Sequence, residues 1–591
     1  MSEALISPGV FLRENDLSQI TAGPVDIGAA LIGPTVIGKP NLPALVTSYS
    51  EYRAKFGATF VSGGNIYEYM TSQAAYNYFQ QGGTSLLVTR VASGSYTPAT
   101  ASVASGFGAT TASFILETLS VGDVMNNTFS ASSAVNQNGI LPSGSANNIR
   151  WQIAQADSAS GLFTLLIRRG DDYTNSQTVL ETWTNLSLDP NQNNYIAYVI
   201  GDQTQNVAFD SDGQAYLTVT GSYRNASNYV RVSNVLTPTP NYLNPQGVPY
   251  SQYTASIPVN GSGSLNGAFG GATGPLFGCF GLAPLNLYES IPTVNSTAGT
   301  PTTNIQGVFP DNYTTAISLL SNADQYRYNT LYAPGVTNQN AATTVSRILS
   351  MVQDRADAMG VVDMVGYNQP ITAVTVAAQS YDSSYGATYW PWVQVRSTET
   401  GRLNFVPPSV VIPGVYEYND NVGAEWFAPA GMTRGGLPTV IMPERTVTTA
   451  QRNTLYSAKI NPIARLAGVG TVIYGQKTLQ ARSSALSSVN VRRLLIELKG
   501  YIGQIAETLV FEQNTAVTRN KFLSQVNPYL ENVQQRQGLY SFRVVMDDTN
   551  NTPDVIDRQI LVGAIYLQPT RAVEFVQLDF NVLPTGVTFG A

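Results

Sequence analysis

The amino-acid sequence predicts a multidomain α/β (α+β) protein whose mixed-sheet core is assembled from N-terminal and C-terminal parts of the chain. The chain has 591 residues, and a single hydrophobic core stops growing beyond roughly 250 to 300 residues. Helical and strand periodicities alternate on both sides of a long middle segment. That segment, residues 94–311, consists of short alternating stretches between Asn, Asp, Gly and Ser clusters, which predicts a mainly antiparallel β insertion.

The first part of the core is expected over residues 21–93. It contains three short apolar runs, at residues 29–32, 44–47 and 85–91. Runs that are apolar on both faces are typical of strands buried under helices. Ser50 is expected to cap a helix over residues 51–56 that ends at Gly57. A second helix is expected over residues 66–79, where apolar side chains recur near helical spacing.

Charge is segregated along the chain. Between Ser95 and Gln325 there are five arginines, no lysine and thirteen acidic residues, a net charge of −8 (5 − 13). Residues 441–591 hold fifteen basic and eleven acidic residues, a net charge of +4 (15 − 11). The insertion and the C-terminal stretch are therefore expected to meet different surroundings. Within the insertion, residues 163–168 and 195–200 are predicted to be strands.

The middle part of the core is expected over residues 312–480, beginning with a helix at 314–321 and a strand at 326–331. A C-terminal α/β core is expected over residues 481–570. Its strongest signal is a run of apolar side chains from Val491 to Leu509, spaced 4, 3, 4, 3 and 4 residues apart. This spacing places one apolar seam along a long helix.

Two further helices are predicted after that seam. Asn514 could cap a first helix that carries Arg519 and Lys521. Pro528, after Asn527, could begin a second helix that ends near Arg536.

Both termini read as strands that lack a hairpin partner in the nearby sequence. Apolar and polar residues alternate with period 2 in an N-terminal arm, residues 1–20, and in a C-terminal arm, residues 571–591. Unpaired strands of this kind are often added to the sheet of another chain. The residues expected to form intersubunit arm strands are Val10, Leu12, Val576, Leu578, Phe580 and Val582.

Composition removes most catalytic chemistry. The chain has no histidine and a single cysteine, Cys279, which excludes Ser-His-Asp and Cys-His catalysis, zinc fingers and disulfide frameworks. Asp547 opens a segment spaced like a calcium loop, but Pro553 and Gln559 occupy the places of the turn glycine and the bidentate glutamate. We therefore read it as an Asx-rich turn and expect no catalytic, cofactor-binding or metal residue, and no enzymatic activity.

Other weak signals are interpreted in the same way. Acids on Gly- and Asn-rich turns are normally solvated rather than paired as in a glycosidase, and Ser484 near Lys477 fits a helix cap better than an activated hydroxyl. The sequence has no phosphate-binding glycine motif, no secretory signal after Met1 and no run of about 18 apolar residues. We expect a protein that is folded in a cytosol without membrane insertion. Its net charge of −7 gives no electrostatic basis for binding nucleic acid.

Short motifs recur in a characteristic order through both ends of the chain. The N-terminal motifs are Ser7-Pro8-Gly9-Val10, Ile32-Gly33-Pro34, Phe56-Gly57 and Gly82-Gly83. Those of the middle part are Ala333-Pro334-Gly335, Tyr389-Trp390-Pro391-Trp392 and Val406-Pro407-Pro408-Ser409. The most specific are C-terminal: Ile460-Asn461-Pro462-Ile463, Tyr474-Gly475-Gln476-Lys477, Val491-Arg492-Arg493-Leu494, Val510-Phe511-Glu512 and Val526-Asn527-Pro528-Tyr529-Leu530. In this order they resemble the contractile tail sheath family of bacteriophages and related injection machines.

The resemblance implies a structural subunit of a virion tail, assembled in the host cytoplasm. Subunits would form stacked hexameric rings around a tail tube, joined by terminal arms that add strands to a neighbour's sheet. A trigger from the baseplate would let the sheath contract and drive the tube through the host cell envelope. The implied partners are further copies of the chain, the tail tube protein, the baseplate and the tail terminator or neck, with no cofactor.

The resemblance also orients the domains. Residues 94–311 would face outward, and residues 481–570 would face the tube. The expected tube-contact residues are Arg519, Lys521 and Arg536, because this stretch is basic and a helical segment of this kind lies against the tube in the family.

Two alternatives stay open at this point. The chain could be the sheath of a non-phage contractile injection system. It could also be a β-rich surface adhesin or carbohydrate-binding protein, a class suggested by the Tyr-, Asn- and Ser-rich insertion.

Overall fold

The computed structural model describes residues 27–62, 65–92, 98–121, 149–170, 172, 176–264, 308 and 310–574. The predicted arm residues lie outside this part of the chain: Val10, Leu12, Val576, Leu578, Phe580 and Val582. Within it, no helix combines the length and apolar character needed to cross a bilayer.

The N-terminal part contributes the first strands of the central sheet. Its elements are β1 (Ile27–Gly33), β2 (Pro43–Val46), α1 (Tyr49–Phe56), β3 (Thr59–Ser62), β4 (Asn65–Glu68), α2 (Met70–Gln80) and β5 (Leu86–Arg90). Strand β1 pairs in parallel with β5, and β2 pairs antiparallel to β5. Ser48 caps α1, two residues before the predicted cap, and Gly57 ends the helix as expected.

The insertion is built mainly from antiparallel strands. Its elements are β6 (Pro98–Ser105), β7 (Gly108–Val121), β8 (Ile149–Asp157), β9 (Leu162–Arg169), β10 (Val179–Ser187), α3 (Ile196–Ile200), β11 (Thr204–Phe209), β12 (Ala215–Thr220), β13 (Val230–Val235), α4 (Ser251–Thr254) and β14 (Gly261–Ser264). They form a sheet in the order β10-β9-β8-β14, a sheet in the order β13-β7-β6 and the hairpin β11-β12. A separate apolar cluster fills the space under the two larger sheets.

The middle part completes the central sheet and adds two small ones. Its elements are α5 (Tyr313–Leu320), β15 (Tyr328–Thr337), α6 (Asn338–Arg355), β16 (Met359–Asp363), α7 (Ile371–Gln379), β17 (Gly386–Ala387), β18 (Tyr389–Trp390), β19 (Val393–Arg396), β20 (Leu403–Val406), α8 (Ile412–Val422), α9 (Gly431–Arg434), β21 (Val440–Pro443), α10 (Thr449–Ser457), β22 (Asn461–Leu466) and β23 (Gly470–Ile473). The central sheet has the order β17-β16-β15-β1-β5-β2. Strands from before and after the insertion therefore share one mixed sheet, which confirms the predicted fold class.

The C-terminal part is a smaller unit of helices and one two-stranded ribbon. Its elements are α11 (Val489–Glu507), α12 (Ala516–Gln535), β24 (Leu539–Val545), α13 (Pro553–Asp557) and β25 (Ala564–Pro569). The predicted long helix is confirmed as α11. Short 3-10 helices occur at Pro310–Asn312, Pro408–Val410 and Ala485–Ser487.

Two local predictions were wrong. Residues 66–68 belong to strand β4, so the second helix begins only at Met70. Residues 196–200 form helix α3 rather than a strand. In α3 the buried residues Ile196 and Ile200 are four apart, whereas Tyr198 is 58% exposed, so this segment buries a helical stripe and not one face of a strand.

The two helices predicted around Pro528 are a single helix, α12. Proline inside a helix removes one backbone hydrogen bond and costs about 3 kcal/mol. The apolar stripe of α12 extends through the proline, however, and its side chains are at most 4% exposed: Phe522, Val526, Leu530 and Val533. Burying such side chains contributes about 1.5 to 3 kcal/mol each, so packing on both sides of Pro528 outweighs its cost.

The hairpin β11-β12 anchors the insertion to the core. Val207, Ala215 and Leu217 on one face pack against the main apolar cluster. The Ala215 amide donates to the Ser318 hydroxyl of α5 at 3.2 Å. Lys39 of the N-terminal part donates to Thr204 and Asn206, each at 2.9 Å. The insertion is therefore braced against both the N-terminal and middle parts.

We expect Leu217→Ala to loosen this hairpin. Truncating a half-buried leucine should cost about 1 to 2 kcal/mol, so amide hydrogen exchange of β11 and β12 should speed up about 5- to 30-fold. Tyr216→Ala is the matched control, because Tyr216 is 44% exposed on the opposite face. Equal acceleration in both variants, measured by hydrogen exchange and mass spectrometry, would contradict the anchoring role.

Candidate assembly site

The C-terminal unit has its own apolar core beneath the β24-β25 ribbon. Its buried residues come from α11, α12, β24 and the turn after α8, and they include Trp426, Leu494, Leu498, Phe522, Val526, Leu530, Val533 and Leu539. Phe542, Val544, Ile565 and Leu567 of the ribbon pack against this cluster. The alternation of the two strands thus directs one face inward and leaves the other to solvent.

The ribbon itself is exposed and incompletely paired. Tyr540 and Tyr566 are 67% and 62% exposed. In the described part of the chain, β24 pairs only with β25, so each strand has an outer edge without a strand partner. A strand edge presents unpaired backbone N–H and C=O groups and is a template for pairing with another chain. The geometry therefore fits acceptance of further strands.

After the ribbon the chain returns to the middle part. The Thr570 amide donates to the Gly538 carbonyl at 3.1 Å. The Glu574 carboxylate then accepts a hydrogen bond from the Gln476 side chain at 3.2 Å. The segment that follows Glu574 thus starts from the surface of the middle part and not from the ribbon edge.

A clamp around Trp426 joins the C-terminal unit to the middle part. The Trp426 indole N–H donates to the Arg536 carbonyl at 2.9 Å, and the Asn490 side chain donates to the Trp426 carbonyl at 3.3 Å. Arg536 in turn donates to the Gly423 carbonyl at 3.1 Å and stacks over the Trp426 ring at 4.9 Å. The turn after α8 is therefore held by both α11 and α12.

Beside this clamp, carboxylates outnumber the one arginine that faces them. Arg493 of α11 donates to Asp420 of α8 at 2.8 Å and lies 4.7 Å over the Tyr416 ring. The Glu417 and Glu425 carboxyls lie near the same guanidinium, and Glu497 lies near Glu425. Burial, with the nearby Asp420, raises the pKa of Glu417 to about 7. Burial, with the Glu497 and Asp420 carboxylates, raises the pKa of Glu425 to about 8. We call this group the carboxyl joint.

The three predicted tube-contact residues lie in different environments. Arg519 is 7% exposed and pairs with Asp548 at 2.9 Å. Lys521 is half exposed and lies 3.8 Å from Glu512. Arg536 belongs to the Trp426 clamp, immediately after the C-terminal end of α12. The three side chains therefore do not form one basic patch. Of the three, only Lys521 lacks a close contact within the subunit, since its distance to Glu512 is 3.8 Å.

The weaker chemical signals resolve into turns. Asp547 accepts from the Thr549 amide at 2.9 Å, and Asn551 donates to the Val562 carbonyl at 2.8 Å. Ser484 caps the 3-10 helix by accepting from Leu486. Across the residues that the structure describes, no cluster of three acidic or sulfur ligands could hold a metal ion.

The ribbon edge and the carboxyl joint were not predicted from the sequence. Alternation over residues 539–545 and 564–569 could have revealed the ribbon, but the two strands are separated by an irregular stretch and α13. The members of the joint lie on helices that are far apart in sequence, so no local signal connects them.

The carboxyl joint predicts a specific pH dependence. Because the pKa of Glu425 is raised from its usual 4.5 to about 8, the folded state keeps a proton that the unfolded chain releases. The unfolding free energy should therefore fall as pH rises between these values. Glu425→Gln should remove part of this loss and stabilise the protein on the order of 1 kcal/mol at about pH 8.5, with little effect at about pH 5.

Urea unfolding at both pH values would measure this difference. Glu531→Gln, on the exposed side of α12, is the matched control and should change neither midpoint. A Glu425→Gln variant that is less stable than the parent at alkaline pH would contradict the proposed protonation.

Two domains of a known family match this chain. Residues 308–479 match the phage tail sheath protein central domain, and residues 481–582 match the phage tail sheath C-terminal domain. The tail sheath protein of Vibrio phage KVP40 is 32% identical over 277 residues, which are 46% of this chain and 41% of that protein. The tail sheath protein of Enterobacteria phage T4 is 40% identical over 185 residues, which are 31% of this chain and 28% of that protein. These alignments span less than half the length of the curated relatives.

A solved structure extends the similarity in fold to nearly the whole chain. The crystal structure of the sheath tail protein from Listeria innocua aligns with a TM-score of 0.51 at 11% identity, covering 92% of this chain and 96% of that one. At 11% identity this similarity shows a shared fold only. Through residues 308–479 and 481–582, the chain is similar to the central and C-terminal domains of the phage tail sheath family.

Proposed function

We propose that this chain is the structural subunit of a contractile tail sheath. Copies polymerise as stacked hexameric rings around a tail tube, and the sheath shortens to drive the tube through the host cell envelope. The matches of residues 308–479 and 481–582 to tail sheath domains support this function. The observation that carries it is the exposed β24-β25 ribbon, whose two outer edges have no strand partner in the described part of the chain.

In this function the ribbon accepts strands from neighbouring subunits. The N-terminal arm, residues 1–20, and the C-terminal arm, residues 571–591, have the alternation that an added strand requires. Backbone hydrogen bonds at the ribbon edge do not depend on the angle between the subunit bodies. Neighbours can therefore stay connected while they change from an extended packing to a shorter one.

The remaining assignments follow from the same function. Residues 94–311 form an outward insertion between the two parts of the core, residues 21–93 and 312–480, and residues 481–570 face the tube. The partners are the tail tube protein, the baseplate and the tail terminator or neck, and the protein acts in the virion tail after assembly in the host cytoplasm. It has no catalytic role, because the free energy of contraction lies in subunit packing.

We expect that removing residues 1–20, or all residues after Glu574, leaves a folded subunit that cannot polymerise. The second truncation keeps the Glu574 contact with Gln476, so the core should retain its circular dichroism spectrum and unfolding midpoint. Negative-stain electron microscopy would show striated tubes for the full chain and none for either truncation. Long tubes from either truncated chain would show that arm exchange does not link the subunits.

Of the three tube-contact candidates, Lys521 gives the cleanest test, because changing Arg519 or Arg536 would also break contacts within the subunit. An exposed charge pair contributes about 0.2 to 1 kcal/mol. Lys521→Glu should therefore weaken co-assembly with the cognate tube protein by up to about fivefold, and the effect should vanish near 1 M salt, where the Debye length is about 3 Å. Arg558→Glu is the control, because the Arg558 side chain, immediately after α13, is 65% exposed. Equal effects of the two variants in co-sedimentation would place the tube contact elsewhere.

A further inference from the structure

The connector between α11 and α12 and the first turn of α12 present apolar side chains to solvent. Val510, Phe511 and Val517 are 60%, 101% and 77% exposed. We call these three residues the apolar apex. Single exposed apolar residues are common on protein surfaces, but three around one short turn form a patch of the kind that marks an interaction site.

The backbone at the apex is also strained. Phe511 has a φ of 71°, in the left-handed region that Gly or Asn usually occupies at the end of a helix. A bulky aromatic residue is unfavourable there, and its full exposure gives folding nothing in return. Strain held at an exposed position indicates a role in function and not in stability.

A cleft elsewhere on the same chain has the complementary character. It lies between α5, α6 and the tip of the β11-β12 hairpin at Gln214, with a volume of about 740 Å³. Its lining includes Ile317 and Met351, which are 5% and 7% exposed and provide an apolar floor. Polar and charged side chains form most of the remaining lining, so the cleft suits an apolar side chain that carries a charged neighbour.

Charge is complementary between the two surfaces. Glu512 follows Phe511 directly, is about half exposed and has only a long 3.8 Å contact with Lys521. On the cleft, the exposed Arg347 side chain contacts the Thr314 hydroxyl. The apolar apex and its acidic neighbour thus match a cleft with an apolar floor and a basic residue at its rim. Asp354 also lies at this rim, so the contact requires Glu512 to lie nearer to Arg347 than to Asp354.

We propose that the apolar apex of one subunit docks into the α5-α6 cleft of a second copy of this chain. Phe511 packs on Ile317 and Met351, and Glu512 faces Arg347. Because apex and cleft are different surfaces, the contact is heterologous and can propagate along a polymer. An aromatic side chain seated in a pocket is the usual energetic centre of such a contact. The inference rests on the proposed polymerisation and adds a contact that does not involve the arms.

Cysteine trapping tests the contact directly. Cys279 is the only cysteine in the chain, so the variants are made in a Cys279→Ser background. Phe511→Cys and Ser350→Cys are produced separately, mixed and oxidised during assembly. We expect a disulfide-linked dimer from the mixture and from neither variant alone. Val376→Cys, at a 66% exposed position on α7, replaces Phe511→Cys in the control mixture and should give no dimer.

Assembly measurements give a second readout. The Phe511 side chain is fully exposed, so Phe511→Ser removes no buried contact within the subunit and should keep the fold. It should raise the protein concentration needed for tube formation at least tenfold. Glu512→Arg and Arg347→Glu should each raise it, and the double variant should return it to within about twofold of the parent.

The outcomes separate the two proposals. One outcome would contradict the docking contact alone: the parent chain and Phe511→Ser form tubes at the same concentration, and the mixture of Phe511→Cys and Ser350→Cys gives no disulfide-linked dimer. The sheath function would then stand. If Phe511→Ser impairs only co-assembly with the tube protein, the apex binds the tube and this proposal is also wrong. A parent chain that forms no polymer under any assembly condition would overturn the proposed function and this contact with it.

Discussion

The pairing of β1 on both of its edges is the constraint on which the rest of the fold depends. Strand β1 is parallel to β5 of the N-terminal part and to β15 of the middle part. Residues 29–32 within it are fully buried. Parallel strands need both faces covered and long connections between them. The central sheet is therefore complete only when the N-terminal strands and β15, which the whole insertion separates in sequence, have come together. The insertion can be large because it leaves the sheet after β5 and the chain returns to it at β15, the two strands that flank β1.

The start of β1 also connects this sheet to the carboxyl joint. A Cβ atom at Gly28 would lie 2.6 Å from the Tyr78 hydroxyl and 2.9 Å from a Glu417 carboxylate oxygen. Glycine at this position therefore lets α2 and α8 approach the strand closely. From Glu417 the contacts continue through Asp420 and Arg493 into α11. The C-terminal unit is thus tied to the central sheet by a buried polar cluster, by the Trp426 clamp and by Val489 and Ile496 of α11, which belong to the main apolar cluster.

This arrangement suits the proposed function, in which a subunit changes its packing without unfolding. The central sheet and the C-terminal core are each closed by apolar burial, whereas the surfaces proposed to contact other chains lie on the ribbon edges and on the helix connector. Backbone pairing at a strand edge gives strong connection with little demand on side-chain geometry. The scarcity of charged residues, 12% of the chain, and the absence of histidine agree with a function carried by packing and strand exchange.

Much of the fold was determined by the sequence itself. Helix α11 and strand β9 appear where local periodicity predicts them, because a helix or strand with one apolar face needs no distant information to be recognised. The order of short motifs indicated the tail sheath family, to which residues 308–479 and 481–582 are similar. Tertiary structure decided the rest. Pro528 lies inside one helix because Val526 and Leu530 are buried on either side of it. Residues 196–200 are helical because their partners are in β10 and β13. The carboxyl joint depends on contacts between side chains that are distant in sequence, and the apolar apex depends on side chains being left exposed. Residue spacing along the chain predicts neither of these features.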